Sequence, residues 1–160
     1  GYTVAKAYTE PWCVMFHENY PFRSDCDGTS ITRAQLRQEV ILFDNSPYDR
    51  GMLSHLFDSL PAGLRFATQP DETRISINRC RSIGITPVTA YRSLKRRVPD
   101  TPIRAMVLSD VKLERPVYLS HRPNFLGSAE DYHILELFDQ HVDRELKATA
   151  EFMQSGFECP

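Results

Sequence analysis

Glu10-Pro11-Trp12-Cys13-Val14-Met15-Phe16 is the stretch on which the fold of this chain turns. From Trp12 to Phe16 it is an unbroken apolar run, the pattern of a strand buried on both faces rather than one face in water. The strand begins near Ala5. Asn19-Tyr20-Pro21 closes it, because Pro21 has no N–H to donate and biases Tyr20 toward extended backbone.

Working outward, Val40-Ile41-Leu42-Phe43 is a second β-branched and aromatic run and a second buried strand. Between the two, Arg33 to Leu36 reads as one helical turn capped by Ser30 or Thr32. After Asp44-Asn45-Ser46-Pro47, Met52, Leu53, Leu56, Phe57 and Leu60 recur at helical spacing until Pro61-Ala62-Gly63 ends the helix. Leu64 to Thr68 is a short strand, and Asp71 or Thr73 caps a helix through Ile75, Ile77 and Cys80. Ile83 to Val88 forms a strand closed by Pro87, and Ala90 to Arg97 a short helix. Ile103 to Leu108 and Pro116 to Ser120 are strands. Ser128 caps a final helix of about twenty residues, striped by Ile134, Leu135, Leu137, Phe138, Val142, Leu146 and Phe152. Strands alternating with short helices predict an α/β fold around a largely parallel sheet. In it Trp12–Phe16, Val40–Phe43 and Ile83–Thr86 lie side by side, with helices on both faces.

The 160 residues suffice for one domain or two small lobes, and 41% apolar with 25% charged residues is ordinary for a globular protein. A net charge of -2 supplies no field toward nucleic acid or anionic lipid. Lys95-Arg96-Arg97 reads as a solvated helix end. Cys13, Cys26, Cys80 and Cys159 form no Cys-x-x-Cys pair, which argues against a zinc ribbon or a dithiol site. Cys13 and Cys80 read as small buried hydrophobes. The five histidines never pair at i,i+4. The chain has no Gly-x-Ser-x-Gly elbow and no glycine-rich phosphate loop, so no enzyme, cofactor or metal is expected. It has no membrane-length apolar run and begins Gly1-Tyr2, read as an internal boundary or a cleavage point.

Taken in order, these pieces resemble the effector-binding domain of LysR-type transcription regulators, from about residue 5 to residue 145. Glu10-Pro11 before the apolar strand is similar to that family's Glu-Pro. His17 to Phe22 is similar to the polar turn after it, with Tyr20 where the family usually has His. Ser30 to Leu36 resembles its serine-to-leucine turn, and Val40 to Phe57 its strand, loop and helix along the ligand cleft. Glu72-Thr73 and Ile83 to Pro87 resemble its helix and glycine-rich turn, with Ser82 in place of the first glycine. Leu113 to Leu119 looks like the returning crossover strand.

The resemblance implies a Rossmann-like lobe of a type-2 periplasmic-binding-protein-like fold, with a C-terminal helix from the companion lobe. Residues 1–120 would be the second lobe with its crossover strands, and 121–160 a returning segment and helix of the first. The chain would then be part of a cytoplasmic sensor that binds a small, anionic effector, self-associates, and touches DNA only through a domain outside it. The alternative is a solute-binding or stand-alone interaction lobe of similar fold. For the ligand, Asn45, Ser46, Pro47, Tyr48 and Arg50 stand where a strand ends and a helix begins, the place open sheets give to ligands. Thr73 and Gly84 fall on the same edge. The same loop residues also read as plain helix caps, and Gly84 as a turn glycine.

Overall fold

The computed structural model describes residues 3–44, 47–69, 71–122 and 127–157. In order the elements are β1 (Thr3–His17), β2 (Ser30–Ile31), α1 (Arg33–Leu36), β3 (Ile41–Phe43), α2 (Pro47–Leu56) and β4 (Leu64–Phe66). There follow α3 (Glu72–Asn78), β5 (Ile83–Pro87), α4 (Val88–Arg97), β6 (Ile103–Leu108), β7 (Glu114–His121) and α5 (Ala129–Gln154). The sheet runs β2-β6-β1-β5-β3-β4, with β7 paired to β1 beyond this path. The three strands expected to be neighbours are therefore neighbours.

Their directions are not all as expected. β3 runs parallel to β4 and β5, and β2 to β6, but β1 is antiparallel to β5, β6 and β7. The sheet is mixed, because α/β alternation makes parallel only those strands that a crossover joins, and β1 is not reached through one of them. The half of β1 from Thr3 to Pro11 pairs with β7 as a two-stranded ribbon. The half from Trp12 to His17 enters the sheet between β5 and β6.

Alternation along β1 sorts the core. Trp12, Val14 and Phe16 face a cluster with Leu36 of α1, Met52, Leu53 and Leu56 of α2, and Ile31. Cys13 faces the other side, with Ile77 of α3, Val88 and Tyr91 of α4, and Phe152 of α5. Cys13 is fully buried, which pushes its thiol far up, whereas Cys80 is only half-buried at the end of α3. Cys159 lies outside the described residues.

Two helix ends differ from the sequence reading. α2 stops at Leu56, before Pro61, where the Arg37 guanidinium donates to the carbonyl and the hydroxyl of Ser59, both at 2.9 Å. α3 stops at Asn78, and Cys80 takes a left-handed φ of 53°. Thr32 and Ser128 each form a capping box, and α5 is 26 residues long. The C-terminal part of α5 docks on α4: Tyr91, Phe152 and Phe157 meet in pairs at 5.8–5.9 Å, and Arg92 bonds Glu145 at 2.8 Å. Its N-terminal part leaves Tyr132, Leu137 and Phe138 at least half exposed.

Glu39, between α1 and β3, is fully buried. Its carboxyl oxygens accept from the N–H of Arg23 at 3.0 and 3.1 Å and of Ser24 at 2.9 Å. The hydroxyls of Ser24 and Tyr20 add bonds at 2.7 and 3.3 Å. One side chain thus satisfies the loop after β1 and ties it to the start of β3. On its backbone side, a Cβ at Gly63 would stand 2.2 Å from the Glu39 carbonyl oxygen, so only glycine fits there.

Removing the acceptor strands several buried donors. Glu39→Ala should lose about 2–4 kcal/mol in urea unfolding, and Glu39→Gln, which keeps one oxygen, distinctly less.

Candidate functional site

The parallel unit β4-β3-β5 has one edge where all three strands end and helices begin: α2 after β3, α3 after β4 and α4 after β5. Such carboxyl edges present unpaired helix N–H groups and the positive ends of helix dipoles. Pro47, Tyr48 and Arg50 occupy the start of α2 and so stand on this edge. Asn45 and Ser46 lie outside the described residues.

Thr73, in the first turn of α3, reaches the same place. Its hydroxyl donates to Asp44 Oδ1 at 2.6 Å, joining α3 to the residue that opens the loop into α2. Gly84 lies directly beneath. A Cβ there would come within 2.8 Å of Ile77 Cδ1 and 3.1 Å of Thr73 Cγ2. The missing side chain of Gly84 is therefore filled by α3, and its role in this geometry is to let that helix settle on β5 and bring Thr73 to Asp44. Thr73 and Gly84 are together, as expected, and each has a packing or bonding duty of its own.

The N-cap of α3 is Asp71, one of the two residues expected there, with φ 67° and no side-chain cap bond. Glu72 instead holds the loop that leads into the helix: its Oε2 accepts from the N–H of Thr68 at 2.6 Å, the Thr68 hydroxyl at 3.0 Å and the N–H of Gln69 at 3.3 Å. These donors hold its carboxyl below the usual range, the Thr68 N–H most strongly.

A second polar group on this edge escaped the sequence reading. Trp12 pairs in register with Pro87, the last residue of β5, and its ring stacks on Phe43, the last residue of β3, at 6.4 Å and 22°. The Arg115 guanidinium lies 5.1 Å from the Trp12 ring centroid. Arg115 bonds Glu10 at 2.9 Å, and Glu10 also accepts from the Thr89 hydroxyl in the first turn of α4. Glu10-Pro11-Trp12 was visible as a motif. That Arg115 returns to it from 105 positions away was not. Among the described residues no three His, Cys, Asp or Glu side chains are grouped to hold a metal.

No family model matches the chain, and no curated protein matches it in sequence. Solved structures match its fold. Full-length OxyR from Pseudomonas aeruginosa superposes with a TM-score of 0.62 at 16% identity, over 84% of this chain and 41% of that one. The regulatory domain of MetR, a LysR family regulator from N. meningitidis, gives 0.60 at 12% identity, over 92% of this chain and 68% of its own. The effector-binding domain of QuiR, in complex with shikimate, gives 0.58 at 14% identity, over 82% and 60%. The fold is thus the type-2 periplasmic-binding-like α/β fold of LysR regulatory domains, and the chain spans less than half of full-length OxyR.

Gly84→Ala should lift α3 from β5 and cost about 1–3 kcal/mol in thermal or urea unfolding. Glu72 titrates lower folded than unfolded, so its stabilisation is present at neutral pH and fades as pH falls through the carboxylate range. Amide exchange at Thr68 and Gln69 should accelerate on acidification in the parent and be pH-independent in Glu72→Gln, once corrected for intrinsic exchange.

Proposed function

We propose that this chain is the effector-sensing part of a LysR-type transcription regulator and binds a small, anionic molecule at the carboxyl edge of β3, β4 and β5. The observation that carries the reading is the Thr73–Asp44 bond: it joins α3 to the residue three positions before α2 opens, on the edge where open sheets place ligands. In this reading Asn45, Ser46, Pro47, Tyr48 and Arg50 are the residues that meet the ligand, together with Thr73 and Gly84. The effector-binding domain of QuiR, of similar fold, is in complex with shikimate. The function is binding rather than catalysis.

Residues 1–120 form the second lobe with its crossover strands, and 121–160 belong with the first lobe. Two exposures support this division. The β1–β7 ribbon leaves Val4 and Tyr118 more than half exposed, and the near part of α5 exposes Tyr132 and Phe138. Apolar surface of this extent at one end calls for a cover, and the first lobe is the cover the fold provides. The regulator works in the cytoplasm, self-associates through its sensing domain and reaches DNA through a separate domain.

A cleft has two walls, and polar contacts converge from both. Each lost charge-assisted contact costs about 1.5–3 kcal/mol, roughly tenfold to a hundredfold in affinity. Calorimetry should therefore find effector binding weak to this chain alone and strong once it is joined to its first lobe. Tyr48→Ala and Arg50→Ala should weaken the joined form without unfolding it. Equal affinity of both lengths, or normal binding by both variants, would reduce the loop to a helix cap. At physiological salt this chain should show no sequence-specific DNA binding in a gel-shift titration, given its net charge of -2.

A further inference from the structure

Trp12 is the only tryptophan of the chain and is 4% exposed, yet its indole N–H has no hydrogen-bond partner among the described residues. A buried donor without an acceptor is costly, and native structures rarely keep one for nothing. Its position adds meaning. The ring is held flat against Phe43, one residue before Asp44, and stands opposite Pro87 at the end of β5. It therefore belongs to the edge where α2 and α4 begin.

The charge beside it is positive. The Arg115 guanidinium, 5.1 Å from the ring centroid, draws electron density from the indole and strengthens its N–H as a donor. Nearby carboxylates are engaged: Glu10 by Arg115 and Thr89, and Asp44 by Thr73. The Arg115 side chain is 37% exposed.

We propose that Trp12 is a ligand-contacting residue whose indole N–H donates to a carboxylate oxygen of the effector, with Arg115 supplying the favourable field. This rests on the reading of the edge as an effector cleft and adds to it the class of ligand group and the residue that meets it. The effector supplies the acceptor that this donor lacks among the described residues, and a ligand without an acceptor at that point forfeits the bond.

The single tryptophan gives a single indole N–H signal in a nitrogen-15 correlation spectrum, which makes the test direct. The chain is titrated with sodium formate, acetate and benzoate, carboxylates graded in size, against benzyl alcohol and sodium chloride at matched ionic strength. At least one carboxylate should move the indole signal downfield along a saturating curve, together with the amides of Asp44 and Tyr48, and neither control should do so. Trp12→Phe, which keeps a ring against Phe43 and loses the N–H, should retain the amide spectrum and bind that carboxylate about tenfold more weakly. If the Asp44 and Tyr48 amides saturate while the indole stays still, or if Trp12→Phe binds like the parent, the cleft stands and this role for Trp12 falls. A spectrum unmoved by all three carboxylates overturns this role for Trp12, while the cleft itself is judged by calorimetry on the chain joined to its first lobe.

Discussion

The rest of this structure depends on one strand having to satisfy its backbone twice over. β1 is 15 residues long, and over that length it changes partners, from β7 on the ribbon side to β5 and β6 inside the sheet. A strand buried on both faces has no water to fall back on, so every N–H and C=O must find a neighbour. The change falls at Pro11-Trp12. Pro11 offers no donor, and the Trp12 N–H goes to the Leu113 carbonyl at 2.9 Å. A residue with nothing to donate stands where a ladder bond would be hardest to arrange.

From that constraint the two cores follow. The same five apolar residues send Trp12, Val14 and Phe16 one way and Cys13 the other, and each face then needs helices of its own. Glu39 serves this arrangement from the periphery. By accepting five bonds from Tyr20, Arg23 and Ser24 it closes the loop that leaves β1, so the chain can turn back and start β3 two strands away. Gly63 presses against the same residue, and the approach of β4 to β3 is fixed there. Core geometry and loop geometry are thus set by one carboxyl group and one missing side chain.

Much of this was legible in the residues themselves. Apolar runs located β3, β5 and β6 to within a residue or so, since short doubly buried strands carry little else. Thr32 and Ser128 announced their helices because a cap is a local bond. What stayed hidden was non-local. The direction of β1 depends on strands reached only after long returns. The Glu10–Arg115 pair and the Asp44–Thr73 bond join positions that no periodicity links. Glu39, a charged residue with no exposure at all, contradicts its type, and only its four donors explain it. At α3 the expected N-cap, Asp71, holds the position without a side-chain bond, in a left-handed turn, while Glu72 reaches back to Thr68 and Gln69.

The ribbon is also a lever. From Thr3 to Pro11 it extends roughly 25–30 Å beyond the sheet at the usual rise of a strand, and cross-strand pairing with β7 stiffens it along its length. Its fulcrum is Pro11-Trp12. Register cannot slip there, because a one-residue slide would drive Cys13 into the face built for Trp12. Motion at the fulcrum is therefore rotation, and a turn of about 5° carries the far tip roughly 2 Å at that length. The mechanical advantage runs both ways: a small angular change beside Trp12 becomes a larger displacement at the tip, and a load on the tip is shared between the sheet at Trp12 and α5, whose Asp139 accepts from the Tyr8 hydroxyl at 3.1 Å.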